Sequence, residues 1–310
     1  MASTQKSALN IVMGAMTFGE SGKEGARVHD VKDAEAILDA FKAHGHTEID
    51  SARTYAGGTS EEYLGKIDLL SKGFKIETKL APRKNVAEPI SHDAEVLIFL
   101  LSPHPGIEKE LAQVFKGSER RVRDSLEMWY LHAPDHTVPY EITLKVVNDL
   151  HKEGYFKRFG ISNYPAYEVA EIVGICKANG YIQPTAYQGI YNAVHRAVEP
   201  ELLPCLRKFG ISFYEFNPLG GGFFTGRYNS LDNAAEEGSR FDPNRNQGQN
   251  YRRSLLKREY GDAIIIGASS LKHIEENLVD LEKGPLPEEV VKVLDEAWFD
   301  VQRYASCYFK

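Results

Sequence analysis

The sequence has few cysteines, no long apolar run and no excess of positive charge. Its three cysteines, Cys176, Cys205 and Cys307, lie far apart and form no CxxC pair, which excludes a disulfide scaffold and is typical of a reducing compartment. The longest apolar run, Val96–Leu101, is far shorter than the ~20 residues that a membrane helix needs. The first residues contain no apolar stretch long enough for a secretory signal. We therefore expect a cytoplasmic protein without a membrane segment.

The charge balance is acidic, which limits the classes of partner. Over 310 residues the formal net charge is -7 at pH 7. Nucleic-acid binding requires a basic face, so we expect no nucleic-acid partner, although solubility alone also accounts for a charge of this size. A chain of this length could hold two domains, but barrels use as many residues for one, and we treat residues 1–310 as a single domain.

Short apolar runs alternate with amphipathic segments along the whole chain. Strands are predicted over Ile11–Met16, Glu48–Asp50, Lys75–Leu80, Met128–Ala133, Arg158–Asn163, Thr185–Gly189, Ile211–Asn217 and Asp262–Ala268. Helices are predicted over Val31–Ala43, Ser60–Leu69, Tyr140–His151, Tyr167–Asn179, Val198–Phe209, Leu271–Leu281 and Pro287–Gln302. Strict alternation with right-handed crossovers predicts a parallel sheet. Eight repeats without a GxGxxG turn after the first strand favour a closed (β/α)8 TIM barrel of the α/β class over an open Rossmann sheet.

Four polar residues fall at or just beyond the carboxyl ends of three successive predicted strands: Asp50, Tyr55, Lys79 and His132. In a barrel these strand ends face the mouth of the active site. An unperturbed phenol has a pKa of about 10. A neighbouring ammonium lowers that pKa, a carboxylate can hold the ammonium in place, and an imidazole opposite the phenol can orient a carbonyl. The four residues therefore indicate a site for reducing aldehydes or ketones.

Each of these residues also has an ordinary structural interpretation. His132 could be a core histidine with its hydrogen bonds satisfied, Lys79 a lysine that extends from a strand end to solvent, and Asp50 a helix cap. The loop after Tyr55 contains AGGTSEE, which is typical of a helix N-terminus capped at Thr59 or Ser60. The agreement of all four positions with the strand order is what favours catalysis.

Several longer motifs occur in the order that one family requires. The segments IDSARTY, WYLHAPDH, GISNY, YQGIYN, FNPLGGGFFTGRY and GDAIIIGASS together resemble the aldo-keto reductases, and most closely their aflatoxin-aldehyde-reductase-like branch. The resemblance implies NADPH-dependent reduction of aldehydes or ketones to alcohols. It also implies that Tyr55 is the general acid, that Lys79 and Asp50 tune its pKa, and that His132 orients the carbonyl of a small-molecule substrate. A homodimer is suggested, and we predict no metal site.

The resemblance also assigns residues to NADPH. Those that would hold the nicotinamide carboxamide are Ser162, Asn163 and Gln188, while Phe216 would stack on the ring in place of the usual tyrosine. Those that would approach the diphosphate are Asn217, Leu219, Gly221 and Arg227. Those that would meet the 2′-phosphate and the adenine are Ser269, Ser270, Lys272, Glu276 and Asn277. His273 stands where many of these reductases have arginine, and Arg240 is a candidate for binding a polar substrate.

The chain departs from the family in two places. Val96–Ile107 is an additional segment before the fourth strand, with two prolines that do not fit a helix interior. After Arg253, a segment that the family carries is missing, and it includes the helix between strands seven and eight. We therefore expect a barrel that lacks this helix, with an exposed apolar strip on strands seven and eight and reduced stability.

Two other functions compete with reduction. A Schiff-base enzyme would use Lys79 as its nucleophile, but it would leave Tyr55 and the cofactor motifs without a role. An NADP(H)-binding regulator, or an inactive isoform of the same fold, would bind the cofactor without turnover. The missing segment is the feature that motivates this second alternative.

Overall fold

A closed barrel of eight parallel strands forms the centre of the protein in the computed structural model, which describes Ser7 and residues 9–82, 126–218 and 258–309. The strands are β1 Asn10–Gly14, β2 Glu48–Asp50, β3 Lys75–Leu80, β4 Leu126–Leu131, β5 Arg158–Ser162, β6 Pro184–Ile190, β7 Ser212–Phe216 and β8 Ala263–Ile266. Each strand pairs with its neighbours in chain order, and β8 pairs with β1 to close the ring. The predicted (β/α)8 barrel is confirmed.

The helices that follow the strands agree closely with those predicted. Their bounds are α1 Val31–Ala43, α2 Thr59–Gly65, α3 Tyr140–Lys152, α4 Ala166–Asn179, α5 Leu202–Phe209, α6 Leu271–Glu282 and α7 Glu288–Val301. The predicted start of α5 at Val198 was wrong, because Pro200 keeps the residue before it out of the helical conformation and residues 197–201 form turns. The predicted extension of α2 to Leu69 was also wrong, because the helix ends at Gly65.

Local sequence signals explain where two of these helices end and which face they bury. Gly180 and Gly210 follow α4 and α5 with φ angles of 65° and 69°, the left-handed conformation that glycine adopts without steric cost. On α1, the predicted apolar face of Ala34, Ile37, Leu38 and Phe41 is buried. These residues belong to the main apolar cluster, which lies between the strands and the outer helices.

Alternation of side chains along each strand divides inside from outside. A second, smaller apolar cluster includes Val12, Met128, Tyr130, Ala186, Tyr214, Ala263 and Ile265. Tyr130 also contacts two polar side chains of β3, since its hydroxyl donates to Glu77 and its ring lies 5.8 Å from the ammonium of Lys79. Glu77 and Lys79 therefore point into the barrel, with Lys79 nearer the carboxyl end of β3. Glu77, Lys79 and the Tyr130 hydroxyl thus form a buried polar layer inside the barrel.

The expected apolar strip on β7 and β8 is not exposed. Phe213 is fully buried and stacks on Tyr187, at a ring-centroid distance of 6.0 Å. Ile264 and Ile266 are buried as well, in the apolar cluster that also contains Ile274 of α6. The prediction was wrong because neighbouring aromatic rings and the apolar face of α6 belong to the same packed layer.

The C-terminal segment lies on the outside of the barrel. On α7, Asp295 accepts a hydrogen bond of 2.7 Å from Arg196, which follows β6. Beyond α7, the hydroxyl of Tyr308 donates to Glu201 at 3.2 Å and accepts from the backbone N–H of Ala166 at 3.1 Å. The predicted packing of this helix across the outside is confirmed.

Both departures from the family pattern fall outside the described residues. These are the additional segment Val96–Ile107 and the junction after Arg253, so the predicted loss of a helix stays a prediction. Among the helices of the described part of the chain, none has the length and apolar character required to cross a membrane.

Candidate active site

A buried ion pair lies at the centre of the site, between β2 and β3. The Nζ of Lys79 is 2.5 Å from Oδ1 of Asp50, and the two side chains are 0% and 2% exposed. The same ammonium donates to the backbone carbonyl of Ser51 at 2.7 Å. Because β2 and β3 are hydrogen-bonded neighbours, the two strand ends bring the opposite charges together. Asp50 is therefore not a helix cap, and Lys79 does not extend to solvent.

The phenol of Tyr55 completes a triangle with this pair. Lys79 donates to the Tyr55 hydroxyl oxygen at 3.1 Å, and the hydroxyl donates to Oδ2 of Asp50 at 3.2 Å. Tyr55 begins a short 3-10 turn, in which Ala56 has a φ of 48°. This left-handed conformation is unfavourable for alanine, so the surrounding contacts must hold the turn in place.

The electrostatic balance at Tyr55 differs from the expected one. Burial and the negative charge of Asp50 raise the pKa of Tyr55 to about 12, and the opposing effect of Lys79 is smaller. The expectation of a lowered pKa in the free protein was therefore wrong, because it ignored desolvation. The phenol keeps its proton at neutral pH, which is the state that a proton donor needs.

Lys79 remains charged for a related reason. Burial disfavours its ammonium, but Asp50 and Tyr55 outweigh that effect and raise the pKa of Lys79 above its usual value. A Schiff-base nucleophile must instead be a neutral amine. The ion pair with Asp50 thus argues against the Schiff-base alternative.

His132 lies across from the phenol. Its ring centroid is 6.3 Å from that of Tyr55, and the rings are nearly perpendicular at 80°. The backbone of His132 is held on both sides: its N–H donates to Leu80 at 2.9 Å, and its carbonyl accepts from the Asn163 side chain at 2.8 Å. A carbonyl oxygen positioned between these rings would meet both side chains.

The residues assigned to the nicotinamide lie at the ends of the next strands. Ser162 ends β5 and Asn163 follows it, and the Asn163 amide donates to the Ser162 hydroxyl at 2.9 Å. Gln188 on β6 is 2% exposed and donates to Oδ1 of Asp50 at 2.7 Å. The Gln188 side chain therefore joins the Asp50–Lys79 pair to the residues that the sequence assigned to the nicotinamide, a contact that the sequence did not reveal.

The residues assigned to the rest of the cofactor are only partly described. Phe216 ends β7 and packs against the second, smaller apolar cluster, and Asn217 follows with a φ of 67°. The remaining candidates after β7, Leu219, Gly221, Arg227 and Arg240, lie outside the described residues. The predicted roles of Phe216 and Asn217 are compatible with their position at the barrel mouth.

The candidates for the 2′-phosphate gather at the N-terminus of α6. The Ser270 hydroxyl caps the helix by accepting from the backbone N–H of His273 at 3.2 Å, and the Ser269 hydroxyl lies 2.9 Å from Nδ1 of His273.

Lys272 has a side chain that is 79% exposed and lies 3.6 Å from Glu276. The Asn277 amide is 3.4 Å from the carbonyl oxygen of Gly267. Hydroxyls and an ammonium at a helix N-terminus favour an anion.

Two further groups of residues surround the Asp50–Lys79 pair, and they were not identified from the sequence. Glu77 and Tyr130 lie beneath it, with the Tyr130 hydroxyl 3.1 Å from Glu77. The period-two pattern of KIETKL would have revealed Glu77, which shares a strand face with Lys79.

Glu61, on the helix after Tyr55, accepts hydrogen bonds from Ser51 and Thr78. No local pattern indicates which way that carboxylate turns.

Several known proteins that are similar to this chain are named as reductases. The sequence profile of the Aldo/keto reductase family matches residues 10–298. An aldo-keto reductase of Pseudocercospora fijiensis is 41% identical over 309 residues, covering 88% of this chain and 100% of that relative. Aldo-keto reductase family 7 member A3 of Homo sapiens is 37% identical over 343 positions, covering 96% of each chain. Aflatoxin B1 aldehyde reductase member 2 of Mus musculus is 37% identical over 339 positions, covering 96% of this chain and 87% of that relative.

The alignment with the human relative bears on the expected missing segment. It extends over 343 positions, which exceeds the 310 residues of this chain. The human protein therefore has residues without a counterpart in this chain, and their predicted location after Arg253 stays a prediction.

Proposed function

We propose that this chain, which belongs to the aldo/keto reductase family and is therefore an oxidoreductase of carbonyl compounds, reduces aldehydes or ketones to alcohols. In this proposal NADPH is the cofactor and Tyr55 donates the proton. The observation that carries this proposal is the position of the Tyr55 hydroxyl, which lies 3.1 Å from the ammonium of Lys79 on the side of the barrel mouth that faces His132. A protonated phenol beside a buried cation suits the transfer of a proton to a carbonyl oxygen.

The donor set at the barrel mouth fits a nicotinamide cofactor. Ser162 and Gln188 are polar side chains that are 0% and 2% exposed, at strand ends where a packed structure would otherwise favour apolar groups. Gln188 already donates to Asp50, so its amide oxygen is the group that would accept from a carboxamide. At the other end, the N-terminus of α6 and Lys272 would hold the 2′-phosphate that distinguishes NADPH from NADH. The bound cofactor supplies the hydride.

The protein's own side chains then handle the proton. Tyr55 gives its hydroxyl proton to the substrate oxygen as the carbonyl carbon is reduced, which leaves a phenolate. Lys79 stabilises that phenolate, since its ammonium is already within hydrogen-bond distance. Asp50 keeps Lys79 charged and in position. His132 orients the carbonyl against Tyr55, so that positioning and electrostatics provide the catalysis.

The substrates that we propose are small aldehydes and dicarbonyl compounds. The name of the mouse relative, an aflatoxin B1 aldehyde reductase, supports an aldehyde substrate. The cytoplasmic location and the homodimer stay predictions from the sequence.

The test is NADPH oxidation with 4-nitrobenzaldehyde, comparing wild type with Tyr55→Phe. We expect turnover in the wild type and a loss on the order of 10²–10⁴-fold in the variant, since it removes the acid but keeps the ring. NADPH binding, followed by fluorescence titration, should be the same in both proteins. Tight NADPH binding without oxidation across a panel of carbonyl compounds would instead identify a cofactor-binding regulator or an inactive isoform.

A further inference from the structure

Three consecutive polar residues at the start of α2 are buried: Thr59, Ser60 and Glu61. They follow directly on the turn that carries Tyr55. Polar side chains are buried where they make hydrogen bonds, and these three bond to the loop after β1 and to the segments that carry the ion pair. Together they fasten the Tyr55 turn to its surroundings.

The first two residues fasten the turn to the loop after β1. The Ser60 hydroxyl donates to the carbonyl of Ala15 at 2.7 Å. The Thr59 hydroxyl donates to the carbonyl of Ala56 at 2.7 Å and accepts from the backbone N–H of Glu20 at 3.1 Å. The approach is so close that a Cβ at Gly19 would lie 2.5 Å from that of Ala56.

Glu61 reaches in another direction, towards the strands that carry the ion pair. Its Oε1 accepts from the hydroxyl of Thr78 at 2.5 Å and lies 3.1 Å from that of Ser51, which also contacts the backbone carbonyl of Glu77 at 2.7 Å. Ser51 is the residue whose backbone carbonyl holds the Lys79 ammonium at 2.7 Å, and Thr78 precedes Lys79 on β3. One carboxylate thus links the helix behind Tyr55 to both neighbours of the Asp50–Lys79 pair.

This use of the carboxylate differs from the usual one at a helix start. With Gly58 as N-cap, Glu61 occupies N3, where a glutamate ordinarily reaches back to the N-cap N–H on the protein surface. Here Glu61 is only 8% exposed, and its Oε1 turns towards the strands. A capping role alone would not require that burial.

We propose that Glu61 is a positioning residue that sets the distance between the Tyr55 hydroxyl and the Lys79 ammonium. The strained backbone at Ala56 would relax if α2 were free to move relative to β3, and the Tyr55 phenol would move with it. This proposal rests on the proposed function, because the distance matters for proton donation. The link from Glu61 to Thr78 holds α2 against the strand that carries Lys79.

The test compares Glu61→Met, which keeps the volume but removes the acceptor, with Glu61→Gln, which keeps an acceptor oxygen. Glu62→Gln, at the neighbouring position, is the matched control. We expect Glu61→Met to lower kcat on the order of 10–100-fold, with little change in KM, because misplacement of a catalytic group acts on the chemical step. Glu61→Gln should restore most of kcat, and Glu62→Gln should equal wild type.

A second readout uses the free protein and does not depend on turnover. The Tyr55 ring-carbon resonance in protein labelled with carbon-13 tyrosine, assigned by its loss in Tyr55→Phe, should shift in Glu61→Met and stay unchanged in Glu62→Gln. If Glu61→Met does not fold, Thr78→Val removes one donor to the same carboxylate and should cause the same shift. An unchanged resonance together with wild-type kcat in a folded Glu61→Met or Thr78→Val protein would overturn the proposal. A shifted resonance in a protein whose wild type reduces no carbonyl would support the positioning role and contradict the proposed function.

Discussion

The side-chain amide of Gln188 on β6 and the carboxylate of Asp50 on β2 are joined by a hydrogen bond of 2.7 Å. It ends on the same oxygen, Oδ1, that lies 2.5 Å from the ammonium of Lys79. The buried Oδ1 of Asp50, on β2, therefore holds the side chains of Lys79 from β3 and Gln188 from β6. The groups proposed for the proton and for the nicotinamide share one electrostatic centre, so a change at Asp50 is expected to affect both.

The first prediction concerns the coupling within the ion pair. Asp50→Asn and Lys79→Met should each destabilise the protein by about 3–5 kcal/mol, because each leaves an uncompensated charge in the barrel. The double variant should be more stable than the sum of the two losses predicts, yet inactive. Denaturant unfolding of all four proteins measures the coupling.

The control for that cycle is the exposed pair Lys145–Asp149 on α3, whose atoms lie 2.7 Å apart. Lys145→Met with Asp149→Asn should show little or no coupling, since solvent screens an exposed pair. Equal coupling in the two cycles would contradict the interpretation that burial makes the Asp50–Lys79 interaction strong.

The second prediction concerns the pH dependence of turnover. With the pKa of Tyr55 raised to about 12 by burial and Asp50, the free enzyme should keep its acid protonated throughout the neutral and mildly alkaline range. The kcat/KM for reduction should then show no loss as pH rises to about 10, the usual pKa of a phenol. A steady-state pH profile measures this. A basic limb with a midpoint well below that value, shifted to higher pH in Lys79→Met, would mean that Lys79 dominates instead.

The third prediction concerns stability and Glu77. Burial, followed by the charges of Glu48 and Asp50, raises the pKa of Glu77 well above its usual value. A carboxyl with a raised folded-state pKa loses stability as pH rises above its unfolded pKa of about 4.3. Glu77→Gln removes this loss, so its melting temperature should exceed that of wild type increasingly from acidic to neutral pH. Glu289→Gln, at an exposed position on α7, should follow wild type. Parallel curves for wild type and Glu77→Gln would contradict a raised pKa.

The fourth prediction concerns the space beside Tyr130. A Cβ at Gly160 would lie 2.3 Å from the Tyr130 ring, so Gly160→Ala should displace the ring and destabilise the protein by about 1–3 kcal/mol. Gly174, inside α4, has no atom within 4 Å of such a Cβ. Gly174→Ala should therefore stabilise the protein by about 0.5–1 kcal/mol, because it only raises helix propensity. Thermal unfolding compares them, and a similar effect of both substitutions would exclude steric conflict with Tyr130 as the cause.

Much of the fold was predictable because the signals are local. The period-two pattern of KIETKL predicted β3 with its observed bounds, and the spacing of Ala34, Ile37, Leu38 and Phe41 predicted the buried face of α1. The error at Val198 came from overlooking the effect of Pro200 on the preceding backbone. Order along the chain was enough to bring Asp50, Lys79 and His132 to one end of the barrel, because parallel strands end on the same side.

The sequence by itself determined the strands, the barrel and the identities of the four residues at its mouth, since these depend on residue type and periodicity. Only the tertiary structure decided the electrostatics and the contacts between distant segments. Asp50 and Gln188 are separated by 138 positions, so nothing local indicates their bond. The pKa of Tyr55 rises because desolvation depends on every group packed around the phenol, and the direction of Glu61 depends on where β2 and β3 lie. Burial is a property of the assembled barrel, and it reversed the pKa shift that the neighbouring lysine alone had predicted.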